Sequence, residues 1–170
     1  GARVVWTEEF GDSSALIVAD GPNGAPQRVA TMNGHVEEPA WSPDGRWIAA
    51  GYHPPGTANT PKSLFVVGVT AAGRPSAPPR LIPVEPAYVS SIKWLPDSRA
   101  VTFFGQGETT MNDIWLISLR EGDKPVNLTR DESSTMWDYS LSPDGKYIAY
   151  PAEIPRGSSI WRIELPQRDK

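Results

Sequence analysis

A Pro-Asp-Gly corner recurs along the chain, and it restricts the fold more than any other feature. It stands in "AWSPDGRWIAAG" (40–51), in altered form in "KWLPDSRAVTFFG" (93–105), and again in "SLSPDGKYIAYPA" (140–152). In "SPDG" the proline presets φ for the second turn position. The aspartate can accept from nearby backbone N–H groups. The glycine takes the positive φ that closes a type I turn with a bulge. Alternating apolar residues follow each corner, as in a strand, so each corner joins a β-hairpin.

Pro43, Pro96 and Pro143 are 53 and 47 residues apart, which is the period of a repeat architecture. After each corner comes a second strand, a variable loop, and a third strand: "SLFVVGV" (63–69), "DIWLISL" (113–119) and "SIWRIEL" (159–165). A Gly-, Asp- or Pro-rich turn then leads to a short fourth run, "PRLIP" (79–83) and "VNLTR" (126–130). The N-terminus aligns in phase, "RVVWTEE" with "RWIAAGY" and "ALIVADGPNGAPQRVAT" with "IWLISLREGDKPVNLTR". This predicts one unit without its first strand, two full units and one without its last, with breaks near 33, 86 and 133. No sustained 3.6 period is present, so no helix is expected. The loss of glycine in "LPDS" predicts a looser second corner, or another turn type.

Four-stranded antiparallel meanders at this period read as β-propeller blades. The run of strand, "SPDG" with Lys or Arg, aromatic strand, "DIWLISL" and "NLT" resembles the TolB-type (WD-repeat-like) propeller repeat. The third period, "DIWLISLREGDKPVNLTRDESSTMWDYSLSPDGKYIAYPAE", carries the likeness best. Similar repeats occur in propellers fused to prolyl-oligopeptidase-like hydrolases and in the sensor regions of some bacterial kinases. The expected fold is therefore all-β. Residues 1–170 form a single partial propeller of about three and a half to four blades. Further blades or a second copy would close it. The resemblance also implies a bacterial, extracytoplasmic setting such as the periplasm.

Composition narrows the function classes. The net charge of −4 is the wrong sign for a nucleic-acid binder. No apolar run spans a bilayer, and "GARVVWTEEF" lacks the ordered regions of a signal peptide. With no cysteine, thiolate chemistry is excluded. No G-x-S-x-G elbow appears, and two histidines offer little for metal or acid–base work. No catalytic residue, metal or cofactor is expected. The recurring Asp44, Asp97 and Asp144 are explained by their turns rather than by calcium. Trp41, Trp47, Trp94, Trp115 and Trp161 fall on strands and are expected between blades. "NLT" (127–129) matches a glycosylation sequon but is read as fourth-strand sequence. "RPSAPPR" (74–80) is read as a stiff hairpin loop.

In a meander the corners share one face, and the variable loops share the other. Binding residues usually ride on such loops. That loop face holds Glu8, Glu9, Asp12, Glu37, Glu38, Glu85, Glu108, Asp131, Glu132, Asp138 and Glu153 against Lys62 and Arg156, so it should be acidic. Its candidate ligand-binding residues are Trp137, Tyr88, Met111 and Tyr139 as apolar anchors, with Glu37, Glu38, His35 and Arg156. Trp137 suits core and ligand platform equally, and His35 and His53 are expected in solvated loops.

The expected function is a non-catalytic binding module that presents its loop face or central funnel to a protein, peptide or small ligand. Two alternatives stand beside it. One is the gating or substrate-selecting part of a prolyl-oligopeptidase-like serine peptidase, with its catalytic domain outside this chain. The other is a glycan-binding lectin.

Overall fold

The computed structural model describes residues 3–21, 23–57, 63–84, 89–106, 112–130, 136–154 and 157–166, with backbone alone for 152–154. Among these are fourteen strands and no helix. Blade 1 has three: β1 (Arg3–Phe10), β2 (Ser13–Asp20) and β3 (Gln27–Asn33). Blade 2 runs through β4 (His35–Trp41), β5 (Trp47–His53), β6 (Ser63–Gly68) and β7 (Arg80–Pro83). Blade 3 is β8 (Ser90–Trp94), β9 (Ala100–Gly105), β10 (Asp113–Ser118) and β11 (Val126–Asn127). Blade 4 is β12 (Ser140–Leu141), β13 (Tyr147–Ile154) and β14 (Gly157–Glu164). Every pairing between strands is antiparallel and sequential, as short loops require.

Strand alternation sends side chains to both faces of each sheet, so both faces of the middle blades must be covered. Three apolar seams do this. Leu16, Val18 and Val29 of blade 1 meet Ile48, Ala50 and Phe65 of blade 2. Ala49, Leu64 and Val66 meet Val101, Phe103 and Ile117 of blade 3. Ala100, Phe104, Ile114 and Leu116 meet Met136, Tyr139, Ile148 and Tyr150 of blade 4. Each fully buried apolar side chain contributes roughly 1.5–3 kcal/mol.

The corners form as their residues dictate. Gly45 and Gly145 sit at φ 69° and 68°. Ser42 donates to Asp44 Oδ1 (2.6 Å) and accepts from the Trp47 N–H (2.9 Å). Ser142 repeats this with Asp144 (2.6 Å) and Tyr147 (2.9 Å). The second corner is not looser, contrary to expectation. Ser98 itself takes φ 59°, and its N–H donates to Leu95 O at 2.9 Å, as Gly45 does to Ser42 O. Its hydroxyl accepts the Asp44 N–H of the neighbouring corner (3.1 Å), a bond no glycine could make.

Three further expectations change. Val5 packs toward blade 2, whereas Ile48, its partner in the N-terminal alignment, faces back toward blade 1. The repeat is therefore displaced by an odd number of residues in blade 1, because a one-residue slip exchanges the faces. Trp161 is 48% exposed rather than sealed between blades. The fourth strand β11 is short, and "NLT" leaves it at Leu128. Asn127 Oδ1 accepts the Thr129 and Arg130 N–H groups (3.1 and 2.9 Å), while its amide donates to Asp113 (2.6 Å).

Candidate functional site

The inner strands β4 and β8 carry a repeated local device. Each has a bulge, at Glu37/Ala40 and at Ser90/Lys93. In each bulge one residue without glycine's freedom takes a left-handed backbone, Glu38 at φ 50° and Ser91 at φ 51°. Counting back from the three corners makes Glu38, Ser91 and Asp138 equivalent. These positions connect the blades. Glu38 Oε2 accepts the Ser91 N–H at 2.5 Å. Lys93 Nζ reaches Asp138 Oδ1 at 2.9 Å and also donates to the Tyr139 carbonyl. The Tyr139 hydroxyl donates to the Ser91 carbonyl at 2.7 Å and lies 3.0 Å from the Thr102 hydroxyl. A bonded chain thus runs along the inner edge from blade 2 to blade 4.

Charge follows from this wiring. The Lys93 ammonium beside Asp138, helped by the Tyr139 N–H, holds that carboxyl below the usual carboxylate range. Burial pushes the Tyr139 phenol well above its ordinary value, with the Thr102 hydroxyl opposing. Tyr139 is 1% exposed, and its ring meets Phe104 edge-on at 5.0 Å. It is a core tie between blades 3 and 4, not the exposed anchor that its loop-face position suggests. Alignment on the corners offered the signal: Tyr139 matches Ile92, also buried, and Met136 matches Val89 and Val36.

His35 and His53 are strand residues, not solvated loop residues. They pair directly across β4 and β5, with rings stacked at 4.7 Å and 14°. His53 is 2% exposed and lies 3.3 Å from Glu37 Oε1, while His35 Nδ1 lies 3.4 Å from Glu9 Oε1. Gly34 admits this arrangement. Its φ is 117°, and a Cβ there would stand 2.5 Å from the His53 carbonyl oxygen. One nitrogen of each stacked ring points to its own carboxylate, not to a shared point.

Trp137 is 77% exposed, between buried Met136 and exposed Asp138. Exposed Glu8, Glu9, Glu38 and Asp138 give this face its carboxylates. Lys93, which the sequence reading did not place here, offsets part of that charge. Glu37, Glu38 and His35 are thus brought to one end of β4 and its neighbours. Tyr88, Met111 and Arg156 lie outside the described residues, as do Lys62, Glu85, Glu108, Asp131 and Glu132.

No protein-family model and no curated protein sequence match the chain. Solved structures do. A prolyl endopeptidase matches over 98% of this chain at 20% identity and a TM-score of 0.62, with 27% of that protein covered. A TolB from Agrobacterium tumefaciens matches over 92% at 18% identity and a TM-score of 0.62. The tricorn protease matches over 96% at 17% identity and a TM-score of 0.64. The chain is a partial β-propeller. It spans 51% of the TolB chain and 17% of the tricorn chain. At these identities the likeness establishes fold and nothing finer.

Proposed function

We propose that the chain is a non-catalytic binding module whose loop face takes a peptide or protein segment with apolar and basic side chains. The observation that carries this is Trp137. An indole left 77% exposed, next to a residue fully buried in the core, is a rigid anchor of the kind found at interfaces. The exposed carboxylates elsewhere on the loop face favour a basic partner and raise its encounter rate at low salt. An extracytoplasmic setting, as the TolB resemblance suggests, fits a chain without cysteine as well as with it.

A random peptide phage library tests the proposal. Selection on the 170-residue chain should enrich basic sequences with aromatic or aliphatic residues. Their binding should fall about tenfold or more on Trp137→Ala and weaken with salt. Peptides that bind the variant equally well, or no enrichment, would overturn it.

The likenesses to a prolyl endopeptidase and to tricorn favour one second reading. In it the chain is part of the propeller that admits substrate to a serine peptidase. A hydrolase region with a G-x-S-x-G elbow, encoded in frame beyond this chain, would support that reading. An in-frame gene without one would remove it.

A further inference from the structure

The corner face, opposite the loops, contains a hollow of about 760 Å³ at the end of blades 1 and 2. Its volume falls within the range of small-molecule sites. Its walls come from segments far apart in sequence: Arg3 at the start of β1, Trp41 at the end of β4, the Asp44–Trp47 corner, and Val69 to Ala71 after β6. Two indoles, Trp41 and Trp47, supply its flat apolar surface, and both are half-buried and held by the neighbouring seams.

The hollow brings two guanidinium groups together. Arg3 and Arg46 line it with one carboxylate, Asp44, while Asp20, beside Arg3, lies outside the lining. Arg3 is already positioned. Its Nη2 donates to the Ala71 carbonyl at 2.6 Å, its Nε lies 3.4 Å from Asp20 Oδ1, and its guanidinium sits 5.6 Å from the Trp41 ring centroid. A guanidinium has five N–H donors, so two such contacts leave donors for a ligand without further ordering. Burial raises the Asp44 carboxyl pKa, but the Ser42 hydroxyl, the Arg46 N–H and the Arg46 charge outweigh that; its Oδ1 is engaged by its own corner, which leaves the Arg46 guanidinium partly offset but with its N–H donors open to a ligand.

We propose that this hollow binds a small organic carboxylate with a flat apolar body, the carboxylate at Arg3 and Arg46 and the body against Trp41 and Trp47. The site lies on the face away from Trp137 and goes beyond the peptide-binding reading. The two can hold or fail separately.

Hippurate is a suitable probe, because it joins a flat benzoyl group to a carboxylate. Titration into the ¹⁵N-labelled 170-residue chain is read at the indole N–H signals. Trp41 and Trp47 should shift in a saturable manner, and Trp137 should not. Hippuramide, the neutral analogue, should bind about tenfold more weakly. Arg46→Ala should weaken hippurate by a similar factor, and Arg46→Lys by less. Arg46 is exposed, so these variants should fold, which the backbone spectrum confirms. Ala71→Trp adds an indole to the hollow without touching its charges and should abolish binding. No saturable shift up to about 10 mM, a range that would detect millimolar binding, overturns the proposal. So does equal affinity for hippuramide, or a response confined to Trp137.

Discussion

Removing a single oxygen atom at Tyr139 tests whether the inner-edge wiring stabilises the fold. Tyr139→Phe keeps the ring, its edge contact with Phe104 at 5.0 Å and its place beneath the Lys93 ammonium at 4.4 Å. It deletes the hydroxyl that donates to Ser91 O (2.7 Å) and meets Thr102 Oγ1 (3.0 Å). Thr102 is fully buried, so its hydroxyl loses a partner that water cannot replace. Buried polar groups left one partner short cost about 1–3 kcal/mol, and we expect about 2 kcal/mol here. For a chain of this size that corresponds to a Tm drop of about 4–8 °C. Thermal and urea unfolding measure it, with Trp137→Ala as the comparison, since that indole is 77% exposed. The Trp137 change should stay within about 0.5 kcal/mol. Thr102→Val should be costly alone, and the double variant should cost less than the sum of the two, because they remove one shared bond. A Tyr139→Phe loss under about 0.5 kcal/mol, or full additivity, would refute the reasoning.

Ser98→Ala keeps the positive φ of 59° but loses the bond from Asp44 N, whereas Ser98→Gly loses the bond and relieves the backbone. Denaturant titrations should therefore place Ser98→Ala about 1 kcal/mol below Ser98→Gly. Gly145→Ala should destabilise, since φ is 68° and the new Cβ would stand 2.8 Å from Pro96 Cδ; an unchanged urea midpoint would contradict that contact. The Ser142 hydroxyl, the Lys146 N–H and the Lys146 charge hold the Asp144 carboxyl below its ordinary value. A depressed folded value means stabilisation that is complete above the unfolded value, near 3.9, and is lost as pH falls through the folded one. The stability gap between the wild type and Asp144→Asn should thus be constant near neutrality and close in acid. A gap that widens in acid would contradict the sign.

The repeat made the strand inventory readable. Three corners at a fixed phase placed the strands that enter and leave them, and the deficit of one inner and one outer strand followed by counting. What escaped were pairings that depend on a neighbouring blade. "LPDS" gives no hint that Ser98 would accept a bond from another corner. His35 and His53 look like loop residues because Gly34 and Pro54 border them, yet strand register places them face to face. Trp137 and Tyr139 differ by two residues and have similar chemistry, yet one is 77% exposed and the other 1%, a difference set by packing against blade 3. Arg3 meets Trp41 and Ala71 only after blades 1 and 2 have packed, so the corner hollow has no local signature.

The two ends of the arc remain, and the seams show what should cover them. Leu64 and Ile114 project toward the next blade and are fully buried, while Ile160, at the same place in blade 4, is 81% exposed. Arg162 replaces Val66 and Leu116 and lies 4.5 Å above the Tyr147 ring. At the other end Val4 and Phe10 are 37% and 45% exposed, with the Glu8 carboxylate on the same face of β1. Both ends are therefore blade faces with exposed apolar side chains beside charged ones, Arg28 over Phe10 at one end and Arg162 over Tyr147 at the other. The outer edge of β14 also has no partner strand among the described residues, whereas β6 and β10 have β7 and β11. Unpaired edges and apolar faces drive association. In a longer protein, further blades would occupy these surfaces. The 170-residue chain alone should instead associate head to tail, blade 4 of one copy against blade 1 of the next. Light scattering across a dilution series should show the mass falling toward 18.5 kDa, with Ile160→Asp shifting that transition to higher concentration. A mass of 18.5 kDa at every concentration, unchanged in Ile160→Asp, would mean that Arg162 and Tyr147 are sufficient to cap the arc.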